Sequence, residues 1–324
     1  MKSKTFLGRL FTSIVILTAI ILLAGGLIRL SLHQPLHYES TWLDSKETID
    51  KALVNSNYLV SKRFQTPTDD QQQQTVGVLV HGFSASSYEF RSLVNRLELQ
   101  DPSVLLSRVV MGGHGRDYNA FKSATYSDWE APILAEVTAL ANNGHQSIAL
   151  IGTSTGATAV LHLLLSGAFA ELPVKQLILI DPYIEPKDKR LLFVPLLRFF
   201  VGNTRSNASQ ALEHQHWYTN RPTAALYELV KLMRNVRQQL NSYPVRAKND
   251  WPKITVFTAK NDPTADTAGA DMIQAAFGSA MVDVHRYDSD HHVIIEPTTK
   301  STWSLADQQH YDFVLNHVRS LLKN

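Results

Sequence analysis

The sequence predicts an α/β fold: a mostly parallel sheet with helices on both faces and a helical insertion late in the chain. Three observations predict it. Short β-branched runs alternate with segments of helical spacing from residue 76 onward. The run Ile148–Ile151 has the continuous apolar character of a strand buried on both faces. The alternation then breaks once, between Pro182 and Trp251, where the flanking strands stand about 70 residues apart instead of the roughly 30 of a strand–helix–strand unit.

The composition permits such a core. Of 324 residues, 44% are hydrophobic and 19% charged, with 15 Gly and 13 Pro, which excludes wholesale disorder. A formal charge of +2, from 31 basic and 29 acidic residues, announces no phosphate-binding surface, so nucleic acid is not an expected partner. The absence of cysteine removes disulfides, thiolate metal sites and a cysteine nucleophile together.

The first element in the chain is apolar. Lys2, Lys4 and Arg9 precede Phe11–Ile28, about 18 uncharged residues that as one helix would rise roughly 27 Å, close to the 30 Å of a hydrocarbon core. The expectation is an uncleaved transmembrane anchor within residues 1–35, and hence a membrane partner. The N-terminus would be cytoplasmic and the globular part extracytoplasmic, periplasmic in a Gram-negative cell. The alternative, a signal peptide cleaved to release a secreted protein, lacks a clear small-x-small site. Residues 36–75 read as linker and start of domain, ending in the polar run "TPTDDQQQQT".

Strands are expected at Val76–Val80, Val104–Val110, Ser147–Ile151, Gln176–Ile180, Ile254–Thr258 and Met281–Tyr287, with helices such as Tyr88–Leu99 and Trp129–Ala141 between them. The core is therefore assigned to 76–181 and 251–324, and 182–250 to a cap insertion. Within the insertion, Arg190–Gly202 is strongly apolar and Ala224–Leu240 alternates apolar and basic residues at helical spacing. Either both segments pack on the main core, or they cap the site with an apolar face toward an acyl chain.

Chemistry enters at "GTSTG", Gly152–Gly156, on the turn from the strand Ile148–Ile151 into the helix pattern Ala157–Leu165. Glycines two positions either side of Ser154 let strand and helix approach closely enough to project its hydroxyl from the sheet edge. No Lys-Ser/Thr pair follows the second glycine, so a phosphate-binding loop is excluded. A serine at neutral pH needs a base, the base needs a carboxylate, and the tetrahedral intermediate needs N–H donors. Asp262 and Asp266 follow one later strand, and His291 and His292 follow the last. Asp262 is nearer its strand, while Asp266 also suits a helix N-cap. Upstream, "HGFS" at His81–Ser84 offers the Phe83 N–H to join that of Thr155 as an oxyanion hole.

These pieces resemble the α/β-hydrolase superfamily, and within it the carboxylesterase and monoacylglycerol-lipase group. The resemblance is carried by "LVHGFSAS" (79–86), "GGHGRD" (112–117), "SDW" (127–129), "GTSTG", the Asp262 region and "DHHVI" (290–294), spanning roughly Val76–Leu322. It implies an α/β-hydrolase fold with Ser154 as nucleophile, Asp262 as acid and His292 as base, the Val-Ile that follows it favouring His292 over His291. It implies a small-molecule ester or lipid substrate of short to medium chain, monoacylglycerols among them, and no cofactor. Thr153 and Thr155 depart from the bulkier neighbours usual beside this serine, which bears on acyl preference. Amide or peptide cleavage, acyl transfer, and a non-catalytic receptor are the competing readings.

His81 and His114, each beside glycine, read as structural. His214-x-His216 lacks a third ligand at zinc spacing and reads as a loop pair, so no metal is expected. Asn207-Ala208-Ser209 fits a glycosylation sequon too short to be specific.

Overall fold

The computed structural model describes residues 11–24, 50–206, 211–242 and 251–323. Its strands are β1 (Val76–Val80), β2 (Leu105–Val109), β3 (Ile148–Thr153), β4 (Val174–Ile180), β5 (Asn203–Arg205), β6 (Asn220–Pro222), β7 (Lys253–Ala259) and β8 (Val282–Tyr287). Six of them form one sheet in the order β2-β1-β3-β4-β7-β8, every neighbouring pair parallel. The order reverses direction at β1 and β3, and ligands of open α/β sheets bind at the strand C-termini beside such a switch.

The central strands β1 and β3 read as unbroken apolar runs because both faces of the sheet are covered. Along β4, Leu177 and Leu179 enter one core while Ile178 and Ile180 enter the other. The larger core takes up helices α2 (Tyr126–Asn142), α3 (Ser154–Leu165), α4 (Thr223–Ser242) and α5 (Ala268–Phe277). On the opposite face, α1 (Arg91–Gln100) and α6 (Leu305–Leu322) pack over Leu79, Ile151, Ile178 and Phe257. Helix α2 starts three residues before its expected start at Trp129, because Thr125 and Asp128 form a reciprocal capping box that satisfies the first N–H groups.

Two segments gain detail. In the polar run before β1, Thr68 and Gln71 form a capping box for a short helix, Asp69–Gln73. Just upstream, Asp50 is buried and accepts hydrogen bonds from Ser87 N–H (2.7 Å) and Oγ (2.8 Å). In the insertion, α4 lays Leu226, Leu229, Val230, Met233, Val236 and Leu240 into the main core, at the three- and four-residue spacing of one helix face. The apolar Arg190–Gly202 stretch does the reverse, leaving Phe193, Leu196, Leu197 and Phe199 exposed.

The expected transmembrane anchor is overturned. Among the described residues no helix is long and apolar enough to cross a membrane. The described helical residues, 11–24, are exposed and apolar, and fourteen helical residues rise about 21 Å against roughly 30 Å of hydrocarbon. The expectation takes the length of the apolar run as the length of a helix, and residues 25–28 of that run lie outside the described set. The single-pass topology, the extracytoplasmic placement and the membrane partnership rested on that helix and fall with it.

Candidate active site

The site begins where β3 enters α3. Ser154 opens the helix with φ at +48°, a left-handed conformation that an L-residue holds only when its surroundings enforce it. The flanking glycines supply the enforcement by letting backbones touch. A Cβ on Gly152 would lie 2.6 Å from the Ala157 Cα, and one on Gly156 only 2.3 Å from the Val80 carbonyl oxygen. Strand and helix therefore meet closer than any side chain allows, and Ser154 sits at the sheet's C-terminal edge with the helix N-terminus behind it.

From that edge a continuous chain of hydrogen bonds runs to a carboxylate. Ser154 Oγ lies 2.8 Å from His292 Nε2, and His292 Nδ1 lies 2.7 Å from Asp262 Oδ2. Asp262 is almost wholly buried, and its other oxygen accepts the N–H groups of Thr264 (2.6 Å) and Ala265 (2.9 Å). Both imidazole nitrogens are thus engaged, which fixes the neutral tautomer as Nδ1–H donating to Asp262, with Nε2 free to accept from serine. Burial pushes the His292 pKa down, but the charge and hydrogen bond of Asp262, with the charge of Asp181, outweigh it and raise the pKa above the ordinary value.

The competing candidates stand elsewhere. His291 stacks on Trp303, ring centroids 5.8 Å apart, and its nitrogens lie 3.7 Å from Asp290 and Asp307. Asp266 accepts the Ala268 N–H at 3.1 Å, at the start of α5. His81 donates from Nδ1 to the Gly82 carbonyl (2.8 Å) and accepts the Met111 N–H at Nε2 (3.1 Å). His114 is buried beside it, and desolvation holds both below the usual histidine pKa. His216 stacks on Tyr88 at 3.6 Å, and burial pulls it down to about 4. The side chain of His214 and the sequon at Asn207 lie outside the described residues.

Two residues with no signature in the sequence complete the setting. Glu89, buried, accepts the Gly82 N–H at 2.7 Å and the Thr153 hydroxyl, so one carboxylate braces the His81–Ser84 loop against the residue before the serine. That contact gives the unusual Thr153 a physical reason. Phe83 follows Gly82 on this braced loop, and Thr155 follows Ser154 in the first turn of α3. Asp181, at φ +46° just past β4, accepts hydrogen bonds from Ala259 N–H (2.8 Å), Tyr287 Oη (2.7 Å) and Val293 N–H (3.0 Å). Burial and the neighbouring Asp262 charge push its pKa up to about 6. Ligand atoms of Asp181, Asp262 and His292 lie within 4.8 Å of one another, and each of these side chains is engaged in hydrogen bonds. Across the site, Tyr218 donates its N–H to the Ser84 carbonyl (2.8 Å), and its hydroxyl bonds the Arg116 carbonyl (2.7 Å). The insertion is thereby tied to both loops at the sheet edge.

Comparison with known proteins agrees with this architecture. The model of the alpha/beta hydrolase family matches residues 78–300. Similar solved structures include a metagenome-derived lipolytic enzyme of the LipS and LipT study, at 17% identity and a TM-score of 0.61, covering 78% of this chain and 94% of that one. Another is a monoglyceride lipase from Saccharomyces cerevisiae in complex with a substrate analogue, at 14% identity and TM-score 0.60, over 78% and 87% of the two chains. A monoacylglycerol lipase from Paleococcus ferrophilus shares 12% identity at TM-score 0.55, over 77% and 97%. At such identities the likeness is one of fold. No curated protein matches the chain. The family model covers most of the sequence, from within β1 to the loop beyond His292, and the chain belongs to the alpha/beta hydrolase family.

Proposed function

We propose that this hydrolase is a serine esterase acting on short- to medium-chain carboxylic esters, monoacylglycerols among them, through an acyl-enzyme. His292 Nε2 takes the Ser154 proton as Oγ attacks the ester carbonyl, and Asp262 stabilises the imidazolium through Nδ1–H. The Phe83 and Thr155 N–H groups receive the oxyanion of the tetrahedral intermediate. His292 then protonates the leaving alcohol, a water attacks the acyl-enzyme with the same base, and the acid departs. Residues 182–250 act as the cap over a core of 76–181 and 251–324, with the exposed Phe193–Phe199 face offering apolar surface to an acyl chain.

The observation that carries the reading is the unbroken Ser154–His292–Asp262 relay at 2.8 and 2.7 Å, built on a serine with left-handed backbone. Ser154→Ala should lower kcat on a chromogenic short-chain ester by about a millionfold if the three side chains act as a unit. A fluorophosphonate probe should label Ser154 in the parent and nothing in the variant. Hydrolysis undiminished by the substitution refutes the assignment.

A further inference from the structure

Arg221 lies in β6, inside the insertion, and its Nε is a buried donor. Nε is shut away from solvent and meets no acceptor, and among the described residues no carboxylate comes within ion-pair range of the side chain. Only the backbone is used, the Arg221 carbonyl accepting Thr204 Oγ1 at 3.3 Å. Taking a cation out of water without pairing it is costly, and burial accordingly pulls this guanidinium below the ordinary arginine value, opposed by the charges of Tyr183 and Glu213.

The position is close to the reacting serine. Tyr218, three residues earlier, hydrogen-bonds the Ser84 carbonyl, and three residues span at most about 10 Å. Arg221 is therefore within that reach of Tyr218, whose N–H bonds the loop that carries Phe83. Tyr183, its electrostatic neighbour, donates its N–H to the Ser154 carbonyl at 3.2 Å and holds its ring 6.2 Å from that of His292.

The acidic groups nearby are occupied. Asp262 and Asp181 are saturated by the donors described above, Glu89 by Gly82 and Thr153, and Glu213 has contacts of its own. Lys300, the other buried cation at the site, donates Nζ to the His292 carbonyl at 2.6 Å. The guanidinium fork of Arg221 remains, and its geometry matches an oxyanion bidentately.

Resting on the esterase reading above, we propose that Arg221 receives an ionised acidic group of the substrate. The preferred esters then carry, besides the scissile carbonyl, a carboxylate or phosphate on the acyl or alcohol portion. Arg221 exchanges no proton; the bond broken is still the ester C–O bond, and a neutral ester leaves the guanidinium unpaired in a desolvated site, which is the source of discrimination.

The test uses the full chain and initial rates at constant pH on two matched pairs: dimethyl against monomethyl adipate, and monobutyrylglycerol against its 3-phosphate. The anionic member of at least one pair should be favoured about tenfold or more in kcat/KM, and the pair that shows it identifies carboxylate or phosphate as the source. Arg221→Gln should reduce that preference by about 10- to 100-fold, chiefly through KM, and Arg221→Lys should retain part of it. Adipate or glycerol 3-phosphate should also raise the melting temperature of the parent protein, while dimethyl adipate should not. Neutral esters preferred in both pairs, or a preference indifferent to Arg221→Gln, overturns the proposal. If the Gln variant does not fold, the melting shift of the parent decides, and its absence overturns the proposal. Fluorophosphonate labelling of Ser154 separates the two readings: labelling without anion preference removes the subsite and keeps the esterase, and a dianion shift without labelling does the converse.

Discussion

Asp181 illustrates how a residue outside the relay can tune it. Its carboxylate sits behind His292, bonded to the Val293 N–H, and its charge helps hold the imidazole pKa above the ordinary value. In the proposed mechanism turnover needs neutral His292, so activity should fall as pH drops through a value above 6.5, the ordinary histidine pKa. Asp181→Asn removes the charge and should move the acid limb of kcat/KM to lower pH, read from a pH–rate profile on a neutral ester. A limb that stays in place, or moves up, would mean the two groups are not coupled. Neither Asp181 nor Glu89 is distinguishable from other acids in the sequence, because both act through backbone N–H groups that only the fold delivers to them.

At the scale of an element, the β3–α3 turn is the part most fully encoded locally. Gly156 has no unusual φ; its role is to leave room for the Val80 and His81 carbonyl oxygens, 2.3 and 2.4 Å from where a Cβ would stand. Both obstacles are backbone, so neither can swing aside. Gly156→Ala should therefore lower unfolding free energy by about 1–3 kcal/mol in urea titration, with activity falling further as Ser154 is displaced. A variant of parental stability and activity would show that the helix shifts without cost. The insertion was less legible. Ala224–Leu240 and Arg190–Gly202 both carry strong apolar character, yet α4 is buried in the main core while Phe193 and Phe199 stay exposed. Periodicity reports that a face is apolar and is silent on what it meets.

Across the whole molecule, buried histidines set the response to acid. Burial holds His81, His114, His145 and His317 below the usual value and His216 near 4. The unfolded chain protonates such groups near 6.5 while the native state resists, so their stabilisation is complete above that pH and is lost as pH falls toward the native values. His292, Asp181 and Glu130, all raised, act in the opposite sense and are outnumbered. The melting temperature should be highest near neutrality and fall steadily from pH 6.5 to 4.5; a flat profile there would contradict the burial of neutral imidazoles. By itself the sequence determined the alternating α/β architecture and the order Ser154, Asp262, His292, because strand burial and the glycine-flanked turn are local consequences of residue type and spacing. The tertiary structure alone decided that His292 Nε2 stands 2.8 Å from a serine 138 positions away, that Thr153 is braced by Glu89, and that the Arg221 Nε is buried without an acceptor. It also decided that, among the described residues, no helix is long and apolar enough to cross a membrane. Composition counts apolar residues, whereas the length of a helix and the partners of a side chain are properties of the folded chain.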